Sequence, residues 1–244
     1  MRPLLFLDFD GVIADSIPEC FVVSWLAYNH LIVKKNPSFV ALADYRLFRS
    51  FRPYIRIGSD YMFIQKALDS GKTLASQEAF DHYLSLYSDE EHQLFYQVFY
   101  QAREEMLQNH ADFWFSLNPL FPHVRDFLEK AAHLPELFIL STKKSWFIEK
   151  ILEYNGIFME SSRIIDSGKE IKATIIESIM KKSSASIALF IDDQIDHFHY
   201  ISHDSIRAYL PTWGYIEPAW LEKRDFPSLS VEQAKLLFQG FLGP

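Results

Sequence analysis

Three short apolar runs in this chain each stop abruptly at polar residues. Pro3 to Leu7 ends at Asp8, Asp10 and Gly11, Leu137 to Leu140 ends at Ser141, Thr142, Lys143 and Lys144, and Ile187 to Ile191 ends at Asp192 and Asp193. Runs this short, apolar throughout and bounded by loop-forming residues, read as strands buried on both faces. A further run, Ile206 to Leu210, precedes Pro211, and a short extended piece falls around Arg163 to Ile165. Between them lie segments of helical period near 122–133, 145–154 and 170–181, the second closed by Asn155-Gly156. Short strands separated by such helices give a parallel sheet covered on both faces. Ligands of these sheets lie beyond the carboxyl ends of the strands, where all three polar tips would gather.

The alternation is interrupted after the first strand. Ser16-Ile17-Pro18-Glu19 has capping-box spacing, and Phe21, Trp25, Tyr28 and Ile32 then recur at helical intervals. From about 38 to 111 the chain is rich in helix formers and aromatics and shows little period-2 alternation. The organisation expected is a three-layer, Rossmann-like α/β core made of 1–16 and 112–244, with an all-helical cap inserted over 17–111. A chain of 244 residues accommodates that division, and with 49% hydrophobic residues, including 22 Phe and 12 Tyr, it has ample apolar area for two interiors.

Charge and cysteine content narrow the class. A formal charge of −8 argues against binding nucleic acid through its backbone phosphates, which needs a basic contact face. Cys20 is the only cysteine, so an internal disulfide and a thiolate zinc cage are excluded, and a reducing, cytoplasmic setting is expected. The N-terminus turns acidic too soon for a secretory signal, and no run approaches a membrane span, so a soluble protein without membrane partners is expected.

Side chains two apart at a strand end point to the same side, so Asp8 and Asp10 converge on one small volume. Two carboxylates about 5 Å apart repel by roughly 3 kcal/mol at an effective dielectric of 20, and acids from another strand add to this. A divalent cation resolves the conflict, and all-oxygen ligation suits magnesium better than zinc.

The stretch Asp8-Phe9-Asp10-Gly11-Val12-Ile13-Ala14-Asp15-Ser16 resembles the first signature of the haloacid dehalogenase superfamily, in its phosphoglycolate phosphatase and β-phosphoglucomutase-like branch. The resemblance spans about 1–16 and 112–215, including Trp213-Gly214, while the insert matches the family's helical cap only in position and type. It implies that Asp8 is a nucleophile forming an aspartyl-phosphate. It implies that Asp10 is the general acid/base and also holds Mg2+ through its main-chain carbonyl. It places Ser141, or Thr142 one register step on, at the phosphate-binding hydroxyl, Lys169 after Gly168 at the third-motif lysine, and Asp192-Asp193 at the fourth motif. Asp193 is the direct metal ligand expected, with Asp192 beside it. Lys172 competes for the lysine role, and distance from Asp193 favours Lys169. Dehalogenases of this superfamily lack an acid two residues past the nucleophile, so Asp10 points to phosphoryl chemistry, and closure of the cap would exclude water from it.

The activity implied is a magnesium-dependent phosphatase acting on a small phosphorylated metabolite. The alternatives are a phosphomutase acting on a sugar phosphate and a non-catalytic binding protein of the same fold. Gly11, Lys143 and, in the insert, Arg52 and Arg56 beside Gly58 are the candidate substrate contacts, within a run that also holds Arg46 and Arg49. Plainer readings stand beside these: Asp15 and Ser16 as caps of the first cap helix, Asp196 as an ordinary helix acid, His199 and His203 as surface histidines, and the aromatics of the insert as its core. Neither the substrate nor the oligomeric state follows from the sequence.

Overall fold

The computed structural model of the chain describes residues 2–34, 42–201, 204–222 and 226–243. It divides into two compact units, one formed by Met1–Asp15 with Pro119–Pro244 and the other by Ser16–Asn118. In chain order, strand β1 (Leu4–Leu7) leads into the inserted unit. That unit contains α1 (Ile17–Leu26), which continues as a π-helical turn over Ala27–Ile32, then α2 (Leu42–Ser50), α3 (Asp60–Asp69), α4 (Gln77–Ser85), α5 (Asp89–Asn109) and α6 (Ala111–Ser116). The chain then returns through α7 (Pro122–Ala131), β2 (Leu137–Ser141), α8 (Ser145–Tyr154), β3 (Ile164–Asp166), α9 (Lys172–Ser183) and β4 (Ala188–Ile191). It finishes with β5 (Ile206–Pro211), α10 (Pro218–Glu222), β6 (Ser228–Leu229) and α11 (Val231–Leu242). Among the described residues no helix is long and apolar enough to cross a membrane.

The first unit is a parallel six-stranded sheet in the order β3-β2-β1-β4-β5-β6. β1 is central, and its four residues are all buried, as the uninterrupted apolar run requires. Phe6, Phe190, Leu140, Ile176 and Phe198 belong to one hydrophobic core. The register sets the site: Leu7 pairs with Ile139 on one side and Ile191 on the other, and the Asp8 N–H donates to the Ile191 carbonyl at 2.9 Å. The polar residues after β1, β2 and β4 therefore emerge at one edge of the sheet.

The inserted unit is helical, and its interior is aromatic: Phe48 stacks on Tyr61 at 5.4 Å, Tyr61 on Phe99 at 5.9 Å, and Phe21 meets Phe48 edge-on at 5.0 Å. Ser88 and Glu91 form a reciprocal capping box at the start of α5. The one expected at Ser16 does not form. The Ser16 side chain makes no cap hydrogen bond, and Glu19 turns fully inward, where its two oxygens accept from Arg103 Nε and Nη2 at 2.8 Å each and from Trp114 Nε1 at 3.0 Å. Trp114 is thus part of this interior. The unit accordingly extends through Asn118, beyond the boundary at 111 expected from composition.

Asp15 has a partner within the first unit. It lies at the edge of the first unit, where its Oδ1 accepts the Tyr215 hydroxyl at 2.7 Å. β6 and α11 extend the fold beyond the strand-helix alternation legible in the sequence. A two-residue strand leaves no periodic signal, although α11 carries its own capping box at Ser230 and Gln233.

Candidate active site

Asp8 follows β1 directly and is 6% exposed, while Asp192 and Asp193 follow β4 at 0% and 2%. Ligand atoms from these three carboxylates lie within 4.8 Å of one another. At that spacing each pair repels by roughly 3 kcal/mol at an effective dielectric of 20, so the cluster needs positive charge close by. Part of it is Lys172, the first residue of α9, which is 2% exposed; its Nζ lies 2.7 Å from Asp192 Oδ2 and 3.1 Å from Asp8 Oδ1.

The expectation of Lys169 is therefore corrected. Gly168, at φ +52, and exposed Lys169 belong to the turn after β3, and the ammonium that reaches the acids comes from the inward-facing start of α9. Burial works against the Lys172 charge, but Asp192 and Asp8 outweigh it and its pKa is raised. Burial raises Asp8 as well. Lys172 opposes that shift, Asp192 adds to it, and His197 and Ser141 oppose it more weakly, leaving the carboxyl above its ordinary range. A carboxylate left in that condition is under-neutralised. An all-oxygen donor set with residual negative charge is what a hard divalent cation fits.

Asp10 is partly exposed, and its Oδ1 lies 3.2 Å from Lys143 Nζ, whose side chain is 2% exposed. The Lys143 side chain is thus buried beside Asp10. Ser141, 1% exposed at the end of β2, accepts the Lys143 N–H on its hydroxyl at 3.3 Å, while Thr142 follows in a half-buried position.

Gly11 has φ +86, and a Cβ there would collide with the Asp193 carboxylate and lie 2.8 Å from the Tyr215 ring. Gly214 is constrained by the same acid, since a Cβ there would lie 2.6 Å from Asp193 Cβ. The two glycines thus form a cradle for Asp193, whose Oδ2 accepts the Tyr215 N–H at 2.9 Å. Trp213 Nε1 donates to the Val12 carbonyl at 3.2 Å and ties the same two loops together. Gly11 thereby shapes the acid cluster through packing, a role distinct from the substrate contact expected of it.

One residue of this cluster is not among the site residues expected from the sequence. His197, on the 3-10 turn Ile195–Phe198, brings Nδ1 within 2.8 Å of Asp192 Oδ2. Its signal was only its distance from Asp192, five positions on. Of the two histidines expected at the surface, His199 is exposed and His203 lies outside the described residues. Asp196 is half-buried on the same turn.

The arginines of the inserted unit do not share one face. Arg46 and Arg49 are exposed on α2, whereas Arg52 is 8% exposed in the turn that follows. Arg56 donates to the carbonyls of Pro53 and Ile55 and to Gln77 Oε1, so its guanidinium braces its own loop. Gly58 is set by packing: a Cβ there would lie 2.9 Å from the Phe99 ring.

Comparison with known proteins places the fold. No protein-family model matches the chain, and a search of curated proteins gives no match. Solved structures do match over almost the whole length. A haloacid dehalogenase-like hydrolase from Streptococcus pneumoniae is 19% identical with a TM-score of 0.62, covering 98% of this chain and 99% of its own. A protein from Lactobacillus delbrueckii subsp. bulgaricus, whose name assigns it provisionally to the phosphoglycolate phosphatases, is 14% identical with a TM-score of 0.68, covering 98% and 100%. A predicted phosphoglycolate phosphatase from Haemophilus somnus is 16% identical with a TM-score of 0.62, covering 98% of each. At these identities the likeness is one of fold alone.

Proposed function

We propose that this chain is a phosphoric monoester hydrolase that transfers the phosphoryl group of a small metabolite to Asp8 and then to water. The observation that carries the reading is the position of Lys172, whose ammonium stands between the carboxylate after β1 and the acid pair after β4. A cation locked there neutralises charge where a phosphoryl group would meet Asp8. The fold shared with structures named as phosphatases and hydrolases supports the same chemistry.

A carboxylate oxygen of Asp8 attacks phosphorus as the bond to the leaving alkoxide breaks, and Asp10 delivers the proton that the alkoxide needs. Asp10 then accepts a proton from water, which attacks phosphorus and releases Asp8. Splitting the displacement in two and supplying the proton in place accounts for a contribution of about 10² to 10⁴ in rate from the acid/base group. Lys143, 3.2 Å from Asp10 Oδ1, orients that carboxyl group. The Ser141 hydroxyl and the Lys172 ammonium stabilise the transferring oxygens. Asp8 and Asp193, with the main-chain carbonyl of Asp10, are the residues that would hold a magnesium ion, and the ion when bound supplies further charge stabilisation on the phosphoryl oxygens.

The test is a screen of phosphorylated metabolites with purified protein and magnesium, repeated with Asp8→Asn and with EDTA. Phosphate release that disappears in both supports the reading. Turnover by Asp8→Asn at the wild-type rate would defeat the nucleophile assignment, and turnover after complete chelation would remove the metal.

A further inference from the structure

Asp192 is fully buried and already receives three donors. Lys172 Nζ at 2.7 Å and His197 Nδ1 at 2.8 Å both meet Oδ2, and the Gln194 N–H meets Oδ1 at 2.8 Å. An ionised carboxylate only accepts, so its partner nitrogen on His197 is the protonated one. The two lone-pair directions of Oδ2 are thus taken by two nitrogens, one from α9 and one from the 3-10 turn after β4. Gln194 N and His197 belong to the same short loop, which folds back on the acid that begins it. Asp193, the next residue, has another environment: its Oδ2 meets the Tyr215 N–H, and its side chain lies in the Gly11 and Gly214 cradle.

The geometry points to a division of labour within the acid pair: His197 is a positioning residue that locks Asp192 as the partner of Lys172 and leaves the divalent ion to Asp8 and Asp193. This rests on the phosphatase reading for its catalytic consequence, but not for its metal-binding one. With the imidazole in place, Asp192 holds the ammonium 3.1 Å from Asp8 Oδ1. With the imidazole removed, one lone pair of Oδ2 is released, Asp192 is able to turn toward the ion, and Lys172 loses its fixed register against Asp8. Partners one step removed from a metal or reacting group are worth about 10- to 100-fold.

Two measurements test it. Without substrate, Mn2+ binding to the metal-free protein is followed by electron paramagnetic resonance of the free ion for wild type, Asp192→Asn and Asp193→Asn. Asp193→Asn is expected to weaken binding at least about tenfold more than Asp192→Asn. Equal losses, or a larger loss in Asp192→Asn, would overturn the division, as would a wild-type protein that binds no Mn2+.

With p-nitrophenyl phosphate and magnesium, His197→Phe is expected to lower kcat about 10- to 100-fold with little change in KM, and His197→Asn, whose amide N–H replaces the Nδ1 donor, to restore most of it. An Asn variant as slow as the Phe variant, or a Phe variant as fast as wild type, would refute the positioning role. Thermal unfolding of both variants shows whether a loss reflects misfolding; if the Phe variant is unfolded, the comparison rests on the donor-retaining Asn variant against wild type. Because Mn2+ binding is read without turnover, an enzyme inactive on every ester but with the predicted binding order would sink the phosphatase reading and leave this one standing.

Discussion

The carboxylate of Asp193 fills the space that a side chain at position 11 would need, and Gly11 has φ +86. Gly11→Ala therefore forces an L-residue into the left-handed region, at a cost of about 1–3 kcal/mol. It also displaces a buried acid, adding roughly 1–3 kcal/mol of overpacking. The expected result is a clear fall in Tm together with loss of phosphate release, since the displaced group is a proposed metal ligand. A variant with wild-type Tm and activity in a thermal melt and phosphate assay would show that the cradle is not as tight as the geometry says.

Lys172 and Lys169 separate two accounts of the same segment. Lys172→Met leaves Asp8 and Asp192 buried without their shared cation, and breaking such an arrangement costs about 3–5 kcal/mol. The expected activity loss is at least about 10²-fold, comparable with removal of one preorganised donor from a reacting centre. Lys169→Met alters an exposed turn residue and should fall within about 0.5 kcal/mol and close to wild-type turnover. Assaying both variants beside a urea denaturation curve decides the matter, and the reverse ranking would return the role to Lys169.

These two cases show where the sequence was legible. Asp8, Asp192 and Asp193 could be placed because a buried strand announces its own end: an apolar run stops, and the next residues stand at the sheet's carboxyl edge. Lys172 ranks second to Lys169 on linear distance because that distance does not tell which residue of a turn faces inward; α9 starts two residues later than its helical pattern suggests. Ser16 and Glu19 have the spacing of a capping box, but an acid one turn into a helix has the same spacing when it is buried. Its partner Arg103 lies 84 positions away, beyond the reach of any local pattern. The contact of His197 with Asp192 is not legible locally because a 3-10 turn presents side chains at a different period from an α-helix.

Asp60 gives the inserted unit a dependence on pH. It is buried and accepts the N–H groups of Arg56 and Ile57 on one oxygen, at 2.9 and 3.0 Å, and burial pushes its pKa from 3.8 up to about 6 despite those bonds. The folded state then holds the proton more tightly than the unfolded chain. Its stabilising contribution is complete below pH 3.8 and is lost as pH rises through about 6. A shift of this size corresponds to roughly 3 kcal/mol between the two limits. Asp60→Asn keeps a carbonyl oxygen for both donors and has nothing to titrate. Urea unfolding at pH 4.5 and 7.5 should therefore show a smaller difference in the variant than in wild type, with the variant the more stable of the two at the higher pH. Identical pH profiles would show that Asp60 keeps an ordinary carboxylate pKa.

The Glu19 and Arg103 pair tests whether the inserted unit is held by charge or by packing. Both side chains are buried, the bond is bidentate at 2.8 Å, and the Arg103 guanidinium also lies 4.5 Å from the Phe99 ring centroid. Arg103→Met keeps much of the apolar stem but leaves Glu19 charged with only the Trp114 N–H among these donors, an expected cost of about 3–5 kcal/mol. Glu19→Gln leaves the guanidinium buried against a neutral amide and should cost a comparable amount. The informative variant is the double one. Replacing both partners removes the unpaired charge that makes each single change severe, so Glu19→Gln with Arg103→Met should unfold at a lower urea concentration than wild type but a higher one than either single variant, a coupling of about 0.5–3 kcal/mol or more. Strict additivity of the two losses would mean that the two side chains contribute independently and not as a pair.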